Sequence, residues 1–376
     1  MIWAGAIIIL TYAIVLIANS IKAIGIPVFS SEKNPPKTTF SVVVPFRNEA
    51  SRIGALLNSL KRLDYPKTQF ELIFVDDVSG DNSVSLIHEA LKNSEFNYRI
   101  ITAQRTSGSP KKDAITTAIS MATSDWIVTT DADCIVPTEW LSQLDSLIQK
   151  NEPVLVAGPV QLQGPNTLIA TYQKIEVMAL QALTMAGFAW SRPYLSNGAN
   201  MAFRKDIFAE VDGYSGNNHL ASGDDVFLLE KIQTAYPDRT AFLKSPKAIV
   251  STGTESKWSD VIRQRIRWAS KTTGQQNLIA ARMGGIMLLT NLWWVVTLIW
   301  LLFEPGRLVF AVGFIAFKFI VDLILVLSVQ RFFGAVLHPL FYVVNGLLYP
   351  FITLIVAFGS LGGNYQWKGR KYRQQR

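Results

Sequence analysis

The sequence is poor in the residues that build redox and soft-metal sites. It holds one cysteine, Cys134, and three histidines among 376 residues. A single cysteine excludes an internal disulfide and any cysteine-rich zinc site. Charged residues are scarce at 17%, and the mean hydropathy of +0.23 is high for a soluble protein. No lysine or arginine precedes Lys22. No G-x-G-x-x-G or Walker glycine loop follows any strand-like run, so dinucleotide and P-loop phosphate sites have no support. Cys134 reads as a small buried residue, and His219 as a surface or capping residue.

What the chain has in abundance is apolar sequence, unevenly placed. Residues 2–21 carry no charge and are long enough to cross a bilayer. A cleaved signal peptide fits this run poorly, because it lacks a basic leader and its apolar core is too long. Three further apolar stretches, 284–303, 308–329 and 339–360, crowd the C-terminal quarter. Lys22 directly after the first run places the region that follows in the cytoplasm, which makes this a multi-pass protein of the cell membrane. Three C-terminal spans would leave the basic tail "WKGRKYRQQR" outside, against the same rule. The segment 339–360, with Pro350 and several glycines, is the weakest candidate span. Lys318 and Asp322 lie four apart within the second C-terminal run, where a structural ion pair is expected.

The net charge of +8 is concentrated near 263–271 and 368–376, beside membrane segments. Anionic headgroups or a phosphorylated substrate explain that placement better than nucleic acid, and no nucleic-acid partner is expected. The organisation is an anchor at 1–24, a proline-containing linker at 25–38, and a catalytic domain at 39–256. An amphipathic interfacial helix at 257–282, membrane segments at 283–361 and a basic tail at 362–376 follow.

Within the domain, short β-rich runs alternate with helix-length segments. The strand candidates are "FSVVV" (40–44), "ELIFV" (71–75), "YRIIT" (98–102), "WIVTT" (126–130) and residues 154–157. Helical patterns lie near 49–62, 82–93, 111–122 and 138–150. Continuous apolar strands with such crossovers predict a parallel α/β sheet covered on both faces. Ligands bind beyond the carboxyl ends of such strands. There the sequence places "PFRNE" (from Pro45 to Glu49), "DDVSGDNS" (from Asp76 and Asp77) and "DADC" (Asp131, Asp133 and Cys134).

If 130–133 stays extended, Asp131 and Asp133 share a face and offer oxygen ligands to Mg²⁺ or Mn²⁺. Alone, each acidic motif also reads as a turn, and "SGDNS" as a turn feeding a helix cap. Asp224 and Asp225, in "SGDDVFLL", stand where a helical pattern begins, and N-capping is the plain alternative. Three acidic sites at element boundaries on one edge reinforce one another. Into and along "RQRIRWASK" (263–271), Trp258, Val261, Ile262, Ile266 and Ala269 make an apolar stripe. Gln264, Arg267 and Trp268 fall at i, i+3 and i+4, so an amide, a guanidinium and an indole share a helix face. Residues 166–190 read as a second amphipathic helix, at the membrane interface or along an acceptor groove.

The motifs "VVVPFRNE", "VDDVSGDNS", "DAD", "NGANMAFRKDIF", "GDD" and "QRIRW" resemble, in order and spacing, the membrane-bound family 2 glycosyltransferases, which include polysaccharide synthases and ceramide glucosyltransferases. The tail "WKGRKY" is similar to a motif after the last apolar segment in several members. The resemblance covers about residues 38–280. It implies a GT-A fold, Rossmann-like with a mostly parallel sheet, flanked by transmembrane helices. It implies a nucleotide-diphospho-sugar donor, UDP-linked, with Pro45 and Glu49 in its first motif. By the same resemblance Asp76 and Asp77 contact the base and ribose. Lys112 matches a lysine near the donor, with Lys111 where the family has glycine. Asp131 and Asp133 bind ribose and metal, and Asp225 is the catalytic base. Asp224, Asn200, Gln264, Arg267 and Trp268 serve acceptor and diphosphate.

An inverting, single-displacement transfer is expected, and because few spans leave little room for a polymer channel, the expected acceptor is a lipid or lipid-linked one, a lipid or glycan at the membrane. A processive β-linked polysaccharide synthase is the rival. A silent scaffold would have lost the base or the D-x-D pair, and neither is lost.

Overall fold

Apolar runs with no polar alternation, such as "FSVVV" and "ELIFV", have no face to give to water, and they form the centre of a sheet. The computed structural model describes all residues except 1, 32–33, 219, 221, 271–276, 337, 362–363, 368–369 and 374–376, and no side chain beyond 361. The reading of His219 and part of the "WKGRKY" motif therefore lie outside the described residues. The chain divides into two units. One comprises Pro27–Gln163, Ser191–Gly253 and Gln366–Arg376, the other Met1–Ile26, Gly164–Trp190 and Thr254–Tyr365.

The first unit holds strands β1 (Phe40–Phe46), β2 (Phe70–Asp76), β3 (Asn97–Thr102), β4 (Trp126–Thr129), β5 (Cys134–Ile135), β6 (Leu155–Ala157), β7 (Val160–Gln163), β8 (Met201–Arg204), β9 (Thr240–Phe242) and β10 (Val250–Gly253). Seven form one sheet in the order β3-β2-β1-β4-β8-β6-β9, and β5-β10-β7 form a second. Strands β3, β2, β1 and β4 run parallel, with Val42 opposite Leu72 and Val128. Their carboxyl ends therefore share one edge. β8 enters antiparallel between β4 and β6. This strand, "MAFR", lies inside the "NGANMAFR" motif and is too short to show a period of two.

Helices α2 (Ile53–Leu60), α3 (Ser83–Leu91), α4 (Pro110–Met121) and α5 (Trp140–Asn151) are the expected crossovers. Alternate strand residues Val42, Val44, Leu72 and Phe74 are fully buried against Ile53, Leu56, Leu60 and Ile87. Each such side chain contributes roughly 1.5–3 kcal/mol by leaving water. Val43, Ile73 and Ile127 on the opposite face are equally buried, as a doubly covered sheet requires. Two further helices, α7 (Lys205–Glu210) and α8 (Asp224–Ala235), follow β8.

The second unit is helical. It contains α1 (Ile2–Gly25), α6 (Leu168–Ala189), α9 (Trp258–Ala269), α10 (Leu278–Phe303), α11 (Leu308–Phe333) and α12 (Pro339–Leu361). Four helices are long and apolar enough to cross a membrane: Ile2–Gly25, Leu278–Phe303, Pro305–Phe333 and Pro339–Leu361. The weakest expected span is thus a continuous helix that carries Pro350 inside it. Gly346 on α12 lets the Phe319 ring pack against its backbone, where a Cβ would stand 2.3 Å from a ring carbon. Lys318 Nζ donates to Asp322 Oδ2 at 2.7 Å, and the Tyr12 hydroxyl donates to the same carboxylate. The expected ion pair therefore also ties α1 to α11.

Helix α6, capped by the Thr167 side chain at Ala170 N, packs on α1, α11 and α12. It belongs to the helical unit although it interrupts the other unit in sequence.

Candidate active site

The site is built where the loops after β1, β2 and β4 leave the same sheet edge. The first two loops are stapled together by short-range polar bonds. Asn48 and Val78 both take left-handed backbone, with φ of 51° and 57°. Asn48 Oδ1 accepts from Gly80 N at 2.7 Å, and Ala50 N donates to Asp81 Oδ2 at 3.0 Å. Glu49 is buried, and its backbone N–H donates to Ser83 Oγ at 2.9 Å. Its carbonyl accepts from Ile53 N at 2.9 Å, which starts α2. Pro45, half-buried, sits in β1 opposite Val75. Asp76 Oδ1 caps the β2 loop by accepting from Ser79 N at 2.9 Å.

Asp77 is buried and ion-paired with Arg105, whose Nε donates to Asp77 Oδ1 at 2.8 Å. Burial pushes the Asp77 carboxyl up, and the Arg105 guanidinium opposes that without reversing it. Arg47 Nη1 donates to the carbonyls of Asp77 and Val78, at 2.5 and 2.7 Å.

Asp131 and Asp133 do come together, but not by strand alternation. β4 ends at Thr129, and 131–133 form a turn closed by Cys134 N donating to the Asp131 carbonyl at 3.1 Å. The turn, rather than a shared strand face, gathers one oxygen from each aspartate and the Cys134 sulfur within 4.8 Å of one another. Both carboxylates are about a third exposed, at 37% and 30% of their side-chain surface. Burial, then Asp131 and Asp133, push the Cys134 thiol well up, and its sulfur is a soft donor that hard cations do not favour. The donor set left is two carboxylates open on one side, which fits a hard divalent cation sharing its remaining positions with water or phosphate oxygens.

The lysine that faces these carboxylates is Lys111, not Lys112. Lys111 Nζ stands 2.7 Å from Asp131 Oδ1 and 3.2 Å from Asp224 Oδ2. Burial works against its charge, but Asp131 and Asp224 outweigh that and hold the ammonium well above the ordinary lysine range. Lys112 is buried and turns away. Its ammonium donates to the carbonyls of Asn217 and Leu220 at 2.7 and 3.1 Å and lies 4.6 Å from the centre of the Phe227 ring. The expected donor lysine therefore anchors the loop before α8, because adjacent helical residues project about 100° apart.

Asp224 and Asp225 occupy the first turn of α8, after Gly223 at φ 90°. The N-cap is that glycine, and neither aspartate caps the helix, although both profit from its dipole. Asp225 Oδ1 accepts from Val226 N at 2.8 Å and Oδ2 from Gly198 N at 3.3 Å. The Gly198 carbonyl in turn accepts from Thr129 Oγ1 at 2.7 Å, which ties this loop to the end of β4. A Cβ on Gly198 would lie 2.7 Å from Asp224 Oδ2 and 3.4 Å from Lys111 Nζ. This explains a glycine in "NGAN": the charged groups pass against its backbone.

Asn200 has a different place from the one expected. Its amide N donates to the carbonyls of Pro159 and Ala248, both at 2.8 Å, and its oxygen accepts from Trp140 Nε1 at 2.9 Å. Fully buried, it braces β7, β10 and α5 rather than facing an acceptor.

Gln264, Arg267 and Trp268 lie on α9 in the helical unit. Between them Arg265, which the stripe of apolar residues did not single out, is buried. Its Nε pairs with Glu176 Oε2 at 2.6 Å, its Nη1 donates to the Gln264 side chain, and its guanidinium lies 4.2 Å from the Trp268 ring centre. Val261 is the buried centre of the stripe and packs with Tyr172 and Ile352.

Lys111, Arg105 and Gly198 were not picked out by pattern. The "KK" pair and the glycine of "NGAN" carried a local signal, and helix phase decides which lysine faces the carboxylates.

Residues 41–212 match the family model described as Glycosyl transferase family 2. The chain is 26% identical over 240 residues to the probable glycosyltransferase YdaM of Bacillus subtilis (strain 168), covering 63% of this chain and 55% of that protein. It is 28% identical over 188 residues to glycosyltransferase AglE of Haloferax volcanii, covering 50% of this chain and 58% of that protein. The matches thus span little more than half the length of these relatives. Among solved structures, a mannosyltransferase from Pyrobaculum calidifontis in complex with GDP-Man and Mn²⁺ superimposes with a TM-score of 0.57 at 17% identity, covering 96% of this chain and 99% of that one. The parallel β3-β2-β1-β4 edge, its gathered carboxylates and these likenesses agree: residues 41–212 are similar to Glycosyl transferase family 2, and the fold is of the GT-A type.

Proposed function

We propose that the chain transfers a sugar from a nucleotide-diphospho-sugar, UDP-linked, to a lipid or lipid-linked acceptor at the membrane, with inversion by single displacement. The observation that carries this reading is the convergence of Asp131, Lys111, Asp224 and Gly198, with Asp225 bonded to that glycine. The fold it shares with a mannosyltransferase solved with GDP-Man and Mn²⁺ supports a nucleotide-sugar donor.

Asp225, oriented by two backbone N–H groups, accepts the proton of the acceptor hydroxyl as that oxygen attacks the anomeric carbon. The C–O bond to the diphosphate breaks with its electron pair leaving on phosphate. General-base assistance of this kind contributes roughly 10²–10⁴-fold. Asp131 and Asp133 would hold Mg²⁺ or Mn²⁺, which supplies charge neutralisation at a diphosphate when bound. The Lys111 ammonium holds Asp131 and Asp224 in place and adds positive charge beside the leaving group. The roles of Asp76 and Asp77 at the nucleoside, and of Gln264, Arg267 and Trp268 at acceptor and diphosphate, rest on the motifs.

The four long apolar helices and Lys22 in the last turn of the first of them support a multi-pass protein with its catalytic unit in the cytoplasm. The Q-x-x-R-W sequence also favours a second reading, a processive synthase. Product analysis separates the two: one glycolipid against a ladder.

Asp225→Asn should keep donor binding by calorimetry and lower turnover by about 10²-fold or more. Turnover at the wild-type level removes Asp225 as the base. Chelation of divalent ions with EDTA should abolish transfer, and added Mg²⁺ or Mn²⁺ should restore it. Activity that survives chelation overturns the metal assignment.

A further inference from the structure

Each carboxylate of the D-x-D turn faces a cation of its own chain. Lys111 Nζ lies 2.7 Å from Asp131 Oδ1, and Arg52 Nη1 lies 3.6 Å from Asp133 Oδ2. The two contacts are not equivalent. Arg52 is exposed and its contact is long, so water screens the pair and a divalent ion displaces it at little cost. Lys111 is mostly buried and is held at a second point by buried Asp224, 3.2 Å away.

The backbone that carries Lys111 is fixed on both sides. Asp113, two residues on, accepts from Thr106 N at 3.2 Å, Ser107 N at 3.0 Å and both of their hydroxyls. Lys112 is tied to the carbonyls of Asn217 and Leu220. Withdrawal of the Lys111 ammonium therefore falls to its own side-chain torsions.

A divalent ion on Asp131 would share one carboxylate with that ammonium. Like charges so close repel strongly where water is partly excluded. Formally, Asp131, Asp133 and Asp224 carry three negative charges, and Lys111 and Arg52 cancel two of them. Little attraction is left for a doubly charged ion until more negative charge arrives. A nucleoside diphosphate brings it, with oxygens that suit both a hard cation and an ammonium.

From this geometry we infer that Lys111 is a resident counter-ion that competes with the divalent cation for Asp131, so that the cation binds tightly only together with a nucleoside diphosphate. The contact with buried Asp224 persists, and the contact with half-exposed Asp131 exchanges. By reciprocity the nucleotide gains from the ion the same factor that the ion gains from it.

Because this rests on the nucleotide-sugar reading above, the experiment is chosen to separate the two. Mn²⁺ is titrated into the full chain in detergent, alone and with UDP or GDP, and free Mn²⁺ is read from its EPR signal. Wild type should bind Mn²⁺ at least about tenfold tighter with a nucleoside diphosphate than alone. Lys111→Met should bind Mn²⁺ alone at least about tenfold tighter than wild type does, and should gain less from nucleotide. A merely structural lysine predicts the opposite, since a loosened site holds the ion less well. Lys111→Ala should repeat the gain, and Lys111→Arg, which keeps the charge, should bind as wild type does. Asp131→Asn added to Lys111→Met should abolish the gain. A Lys111→Met or Lys111→Ala protein that melts as wild type and shows no gain overturns the inference alone, as does a gain that survives Asp131→Asn. A wild type that binds Mn²⁺ as tightly alone as with nucleotide overturns it too and leaves the donor reading standing. A wild type that binds neither UDP nor GDP, with or without Mn²⁺, overturns the nucleotide-sugar reading and this inference with it.

Discussion

Lys111 and Lys112 are adjacent, chemically identical and assigned to opposite tasks. Pro110 begins α4 and sets its phase. Lys111 then lies between Asp131 and Asp224, while Lys112 reaches the loop carbonyls at 217 and 220. Their removal should therefore be distinguishable. Lys111→Met leaves Asp131 and Asp224 without their shared cation, so kcat/KM should fall at least about tenfold while the melting temperature changes little. Lys112→Met orphans two carbonyls at a buried position, and a loss of about 2–4 kcal/mol in stability is expected from chemical denaturation. Equal stability losses in both variants would remove the distinction. The motif resemblance singled out Lys112, whereas Lys111 is the one beside the carboxylates, because spacing along a helix is legible but its absolute rotation is set by packing.

At the scale of elements, the edge depends on β1, β2 and β4 ending together. Glu71 in β2 holds that alignment from the other end of the strands. Its Oε1 accepts from Ser41 Oγ, Thr123 N and Thr123 Oγ1, each at 2.7 Å, and Arg99 of β3 pairs with its other oxygen. Burial alone would raise its carboxyl. Arg99 and these donors outweigh it, and the carboxyl is held below its usual range. A folded carboxyl that binds its proton more weakly than the unfolded one stabilises the fold above the unfolded pKa. That contribution is lost as pH falls through the lowered folded value. Glu71→Gln should cost about 1–3 kcal/mol near neutral pH, because the buried side chain loses charge-assisted bonds while Arg99 is a third exposed, and should flatten the acid limb of the stability profile. An acid limb identical to wild type would show that Glu71 does not contribute. The alternation of strand and helix was readable because each element is local. The antiparallel β8 was not, since its four residues find their neighbours across long stretches of chain.

At the scale of the molecule, the two units interleave in sequence, and α6 lies between β7 and β8 yet belongs with α1, α11 and α12. Four apolar helices make the chain an integral membrane protein under the proposed reading. Membranes from expressing cells, washed with alkaline carbonate, should retain the full chain in the pellet. Release into the supernatant would leave the helices without a bilayer role.

By itself the sequence determined the apolar runs that must pair as parallel strands, the four bilayer-length segments and the acidic residues at strand ends. These follow from hydrophobicity and from residues close in the chain. The tertiary structure alone decided that a turn gathers Asp131 and Asp133, that Lys111 bridges Asp131 and Asp224, and that Asn200 is a brace. Those outcomes depend on helix rotation and on contacts between distant segments, which packing resolves and periodicity does not encode.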